Sequence, residues 1–147
     1  MTASEPDDAM VVTHLDDVDW IEALPQYQGD QRLAIHLKVL VSKEDRLVSY
    51  TRYDPGLVVE PHWHDGDEVI YVLEGEMTIR GRRCPAGSAI LLRRGTPTGP
   101  IVAGDDGAVI LEVFFGTNAG APVFVEDQSY RDLATARAIR SAPPATT

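Results

Sequence analysis

The chain predicts an all-β barrel or sandwich closed by one short C-terminal helix. Three observations carry that expectation. Short runs rich in Val, Ile, Leu, Tyr and Phe alternate with polar residues. Turn signals built on Gly, Pro and Asp separate the runs. Almost no helical pattern precedes residue 128. No internal repeat is present, so a single barrel is expected.

Residues 1–10 are polar, contain a proline, and are expected to be a disordered acidic arm. Val11 to Leu24 sets Val18, Trp20, Ile21 and Leu24 among acids, which predicts a short strand and then a turn of helix against the barrel. Residues 25–31 read as loop. Leu33 to Val41 reads as a strand with Leu33, Ile35, Leu37, Val39 and Val41 on one face and His36 and Lys38 on the other. A turn at Lys43-Glu44-Asp45 leads into a strand from Leu47 to Tyr53, which ends at Asp54-Pro55-Gly56. A strand from Glu68 runs into a short hairpin at Gly75, with Met77 to Arg80 returning. Residues 81–87 read as a turn region, 88–92 as a strand and 94–100 as a Gly/Pro-rich loop. Asp105-Asp106-Gly107 turns the chain into the most apolar strand, Ala108 to Phe115. Residues 118–122 are loop, Tyr130 to Ile139 is helical with Ser129 as its cap, and residues 141–147 form a flexible tail.

The 147 residues suit one domain, and 44% apolar content supports a sizeable core. The expected division is an arm over 1–10, a barrel over 11–126, and a helix with its tail over 127–147. No run approaches the ~18 apolar residues of a membrane span, and the N-terminus lacks the pattern of a secretion signal. A lone cysteine, Cys84, makes no internal disulfide, so a cytoplasmic setting is the default. It falls in a turn beside two arginines, where a passive thiol is commoner than a nucleophile. Formal net charge is −10, and seven acidic residues with no basic ones lie within residues 1–22. That balance argues against nucleic-acid or anionic-membrane partners and fits a solvated arm.

The chemistry concentrates in Pro61-His62-Trp63-His64-Asp65-Gly66-Asp67-Glu68. His62 and His64 at i and i+2 share one face of a strand. Neutral imidazoles converging on a point form a ready site for Zn, Fe, Cu or Ni. Asp65-Gly66-Asp67 is a tight turn that brings the Glu68 carboxylate back beside them. Two histidines and a carboxylate make three ligands with open coordination positions.

The spacing Gly56-x5-His62-x-His64-x3-Glu68-x6-Gly75 matches the first motif of the cupin superfamily at every fixed position. A bare H-x-H is weak, but the five-point pattern is specific, and the chain resembles a small single-barrel cupin. The second motif is partly kept. Gly87 and Gly95 are present, Arg93 replaces the proline, and Thr98 stands where the family supplies its last metal-binding histidine. Trp20, Lys38-Val39-Leu40, Pro55-Gly56 and Gly95-Thr96-Pro97 are also similar to the cupins of anti-sigma-factor sensor domains.

The resemblance implies a double-stranded β-helix, or jelly roll, with the site in its mouth. It implies a divalent metal (Fe, Zn, Mn or Ni, with Fe favoured for an oxygenase) held by His62, His64 and Glu68. Pairing of exposed edge strands into a homodimer is also expected. Glu112 interrupts the apolar strand Val109 to Phe115. It reads either as a replacement ligand or acid/base group inside the barrel, or as an edge-strand glutamate facing water. With Glu68 it is a candidate catalytic group. Thr98, Arg93 and Tyr50 are candidates for contact with the metal's substrate, Arg93 as a carboxylate clamp. The expected function is a metal-dependent enzyme acting on a small polar organic molecule, with oxygenase chemistry favoured. The alternatives are a ligand- or metal-sensing domain and a barrel without metal.

Overall fold

The structure is a computed structural model that describes residues 9–145. The expected disorder of the arm falls mostly on residues outside that range. Chain order is a 3₁₀ turn (Leu15–Asp17), then β1 (Ile21–Gln28), β2 (Gln31–Lys43), β3 (Arg46–Tyr53), β4 (Val58–Val59) and β5 (His62–Trp63). Next come β6 (Glu68–Ile79), β7 (Arg82–Pro85), β8 (Ala89–Leu92), β9 (Ile101–Phe115), β10 (Val123–Phe124), α1 (Gln128–Arg137) and β11 (Ile139–Ser141). The main sheet runs β11-β1-β2-β3-β9-β6-β7, with β4 on β9 and β8 on β6, while β10 and β5 form a separate ribbon. All these pairings are antiparallel.

Two long strands roll this sheet into a barrel. The first half of β6 pairs with β8 and with the end of β9 (Ile70↔Ile90, Ile70↔Glu112), and its second half pairs with β7 and the start of β9 (Met77↔Cys84, Met77↔Ala103). The corner between the halves is Gly75, where the register shifts. Its φ of +69° lies in the left-handed region, and a Cβ there would meet the Gly107 carbonyl oxygen at 2.2 Å. Gly75 is therefore a β-bulge inside one continuous strand, not the tip of the expected hairpin. The real hairpin turns at Arg80-Gly81, which makes residues 82–85 a strand where a turn region was expected. For the same reason β9 begins at Ile101 and bends at Gly107 rather than starting there.

Strand alternation builds the core. Ile70 and Val72 of β6, Ile110 of β9 and Met77 are at most 1% exposed, and Leu57 joins them from the β3–β4 turn. Each such side chain contributes about 1.5–3 kcal/mol by leaving water. Cys84 points into this core and is a buried thiol rather than a turn residue.

Four further expectations change. The helical turn precedes the first strand, because the His14 ring accepts from the Asp16 backbone N–H and caps it. β1 continues through Pro25, since a bulge between Ala23 and Gln26 absorbs the proline, and Gln26 bonds both backbone groups of Val58. Residues 139–145 are tied down rather than a free tail. β11 pairs with β1, Ala142 N–H donates to the Pro25 carbonyl, and the Pro143 carbonyl accepts from Arg32. Asp127, not Ser129, caps α1, its carboxylate accepting from Tyr130 N–H at 2.8 Å.

Candidate functional site

The motif turn is held from both sides. A side chain at Gly66 would sit 1.6 Å from the Phe115 carbonyl oxygen, so glycine alone lets this turn close on the end of β9. Asp67 accepts from Arg94 N–H at 2.9 Å, and Asp65 accepts from the Arg94 guanidinium at 2.5 Å. The turn ties β5 to the start of β6. His62 and His64 thereby line one cavity, and Glu68 lies beneath them.

The two imidazole rings meet edge to face, with centroids 4.9 Å apart. His62 Nδ1 lies 2.8 Å from the Glu60 carbonyl oxygen, and His64 Nδ1 lies 3.0 Å from that of Ala121. A carbonyl only accepts, so each Nδ1 carries a proton, and in the neutral ring Nε2 holds the lone pair. Burial, and then the neighbouring His62, push the His64 pKa down to about 4, so it is neutral at physiological pH. Its Nε2 stands 3.6 Å from a Glu68 carboxylate oxygen.

Glu68 is 3% exposed and Glu112 9%. Glu112 sits in β9 between β3 and β6, opposite Ser49 and Ile70. It is an inward residue of a central strand, which removes the edge-strand reading. Burial, the Glu112 charge and a hydrogen bond to Glu112 hold the Glu68 carboxyl well above the usual carboxylate range. Tyr53 is buried beside them. Burial first, then the charges of Glu112 and Glu68, raise its phenol well above the ordinary value. Ser49 Oγ and Thr51 Oγ1, 3.1 Å apart, extend the polar row along the inner face of β3.

The cavity measures about 340 Å³ and its wall is mainly aliphatic, with Leu37, Val39, Leu47 and Phe114 among the lining residues. The polar groups His62, His64, Glu112, Ser49 and Tyr53 also open on it. Phe124 of β10 stacks near His62, at 5.9 Å between centroids.

The other expected site residues separate. Thr98 is 1% exposed and forms an antiparallel bridge with His62, which puts both side chains on one face. Its hydroxyl donates to the Thr96 carbonyl at 3.3 Å. Arg93 is exposed and does not line the cavity, so it makes no carboxylate clamp there. Tyr50 points to the opposite face of β3, 6.1 Å from the Trp20 ring. Strand parity puts Ser49, Thr51 and Tyr53 inside and Tyr50 outside. That polar run at i, i+2 and i+4 was the sequence signal for the inner wall.

The donor set fits a divalent cation in chemical kind: two imidazole Nε2 atoms with their tautomers fixed from behind, and a buried carboxyl pair that lacks a positive neighbour. Two donors each 2.1 Å from a tetrahedral ion stand about 3.4 Å apart, close to the His64–Glu68 separation. Among the described residues, however, no three His, Cys, Asp or Glu side chains stand together in an arrangement that would hold an ion. Drawing in the full set calls for side-chain rotation.

No curated protein matches the sequence. Solved structures share the fold. A candidate acetylacetone dioxygenase from Methylibium petroleiphilum superposes with TM-score 0.67 at 17% identity, covering 94% of this chain and 99% of that one. The polyketide cyclase RemF from Streptomyces resistomycificus gives 0.62 at 23% identity, covering 83% and 91%. The anti-sigma ChrR of Rhodobacter sphaeroides, solved in complex with SigE, gives 0.52 at 20% identity, covering 68% of this chain and 51% of that one. These likenesses confirm the double-stranded β-helix of the cupins. The family model described as the ChrR cupin-like domain matches residues 8–113. With most of its length matched to that model, the chain belongs to the ChrR cupin-like family of the cupin superfamily.

Proposed function

We propose that this protein is a metal-dependent enzyme whose ion is held by His62, His64 and Glu68, acting on a small organic molecule. The observation that carries it is the pair of imidazoles with Nδ1–H bound to the Glu60 and Ala121 carbonyls, which leaves both Nε2 lone pairs free beside a buried carboxyl. The mainly aliphatic wall shifts the expected substrate from a polar molecule to one with an apolar body and an oxygen-bearing end. Bound there, the ion would supply Lewis-acid polarisation and, as Fe(II), redox chemistry, for which oxygenation is the favoured class.

The chain's own groups do the rest. Glu112, buried next to Glu68 and open on the cavity, would serve as the acid/base group. Tyr53, whose buried phenol keeps its proton, stands near the carboxyl pair. The aliphatic wall orients the substrate body and excludes water. Thr98, where the resemblance expects a further histidine, would leave the ion with one protein ligand fewer.

Substituting Thr98→His tests this arrangement. It sets a third imidazole on the face that carries His62, so metal retention should rise while turnover falls. Unchanged retention would show that Thr98 does not border the ion. The family match favours a second reading, a ligand- or metal-sensing domain without turnover. Oxygen uptake by the Fe(II)-loaded protein across a set of small carbonyl compounds separates the two. Uptake that depends on one compound and is lost in the double substitution His62→Ala, His64→Ala supports the enzyme. A compound that raises the melting temperature without any uptake supports the sensor.

A further inference from the structure

We infer that the cavity between α1 and the barrel wall is a second small-molecule site, and that it takes a primary amine with an apolar body. The cavity measures about 530 Å³, within the usual size of a ligand pocket. It shares only Leu24, Ile35 and Val59 with the histidine cavity, and none of that cavity's polar groups. One wall is the barrel, through Pro25 of β1 and Val58 and Val59 of β4. The other is built by Tyr130 and Ala134 of α1, four residues apart on one helix face, and by Ile139 of β11. Phe124 of β10 joins them.

The chain leaves two polar groups of this cavity unused. Glu60 is half-buried and enters the hydrogen-bond pattern through its backbone carbonyl, which accepts from His62. Tyr130 is half-buried and enters it through its backbone N–H, which donates to Asp127. Among the described residues, neither the Glu60 carboxylate nor the Tyr130 hydroxyl has a partner. The two side chains feel each other, since burial and then the Glu60 charge raise the Tyr130 phenol above its ordinary value. Gln26, which also lines the cavity, is occupied by both backbone groups of Val58 and by Gln28.

A carboxylate on the wall of a mainly apolar cavity calls for a cation. The nearby arginines are engaged elsewhere. Arg140 donates to the Gly29 carbonyl and lies 4.4 Å from the centre of the Tyr27 ring, and Arg137 donates to the Gly56 carbonyl. A metal ion needs several anionic or imidazole donors, and Glu60 is the one such side chain on this wall. An organic ammonium needs only one carboxylate, a further acceptor such as the Tyr130 hydroxyl, and an apolar surface for its body. An organic anion would face both the Glu60 charge and a net charge of −10.

Isothermal titration calorimetry on the full chain as purified tests the inference with three probes of one shape: phenylbutylamine, phenylbutanol and phenylpentanoate. The amine should bind with a Kd of about 10–500 μM, and about tenfold or more tighter than the alcohol or the acid. Glu60→Gln should weaken the amine about tenfold and erase its advantage over the alcohol. Tyr130→Phe should weaken it about threefold. Ala134→Phe, which fills the cavity, should abolish binding while circular dichroism stays unchanged. The amine Kd should be the same after metal is removed by chelation, so the site stands or falls apart from the metal reading. No heat from the amine, equal binding of the three probes, an amine Kd untouched by Glu60→Gln, or one that weakens tenfold on chelation would each overturn it. If Ala134→Phe fails to fold, Glu60→Gln decides the case alone.

Discussion

A carboxyl as deeply buried as that of Glu68 is unfavourable unless a positive charge joins it. Its folded-state pKa lies well above the ordinary 4.5, through burial and then Glu112. The folded state therefore binds the Glu68 proton more tightly than the unfolded chain. Stability is fully present below pH 4.5 and declines as pH rises through the folded pKa. Glu68→Gln removes that decline. In metal-free protein it should raise stability at pH 7–8 by about 1–2 kcal/mol, with no gain at pH 4, in urea titrations. The same variant should lose bound metal. A destabilised metal-free variant would mean that the carboxylate has a fixed structural partner. His62, His64 and Glu68 were legible in the sequence because a period of two and one tight turn suffice to place them. Tyr50 and Arg93 were not. Their direction depends on how β3 registers with β9 and on where β8 ends, and both are long-range facts.

At the scale of elements, the glycines marked where the chain needs a left-handed residue but not the structure that uses it. Gly75 suits a hairpin tip and a bulge equally well in sequence. The pairing of both halves of β6 with β9, more than 20 residues away, decides for the bulge. Gly75→Ala forces a Cβ against the Gly107 carbonyl at a φ of +69°. It should cost at least ~2 kcal/mol of folding stability in chemical denaturation. A loss below about 0.5 kcal/mol would show that the corner relaxes freely. Strands β2, β3 and β9 were readable because alternation over several residues is a strong signal. The two-residue strands β4, β5 and β10 were not, since they exist only through their partners.

For the whole molecule, single-barrel architecture followed from turn spacing and the absence of early helix, but closure of its edge did not. Three residues of β11 cover β1 after α1, anchored by Arg32, which pairs bidentately with Glu22 and also donates to the Pro143 carbonyl. Such a strand is too short to signal itself in sequence. Removing residues 138–147 should uncover β1, cost about 1–2 kcal/mol, and lower the melting temperature by roughly 3–8 °C. An unchanged melting temperature would restore the free-tail expectation. The central claim is that this cupin holds a divalent metal on the two motif histidines and Glu68. Elemental analysis of protein purified without added metal tests it most directly. The account predicts about one equivalent of Fe, Zn, Mn or Ni per chain, lost in the folded His62→Ala, His64→Ala variant. A metal-free wild type that gains no thermal stability from any of these ions, or a double variant that keeps its full equivalent, would contradict it.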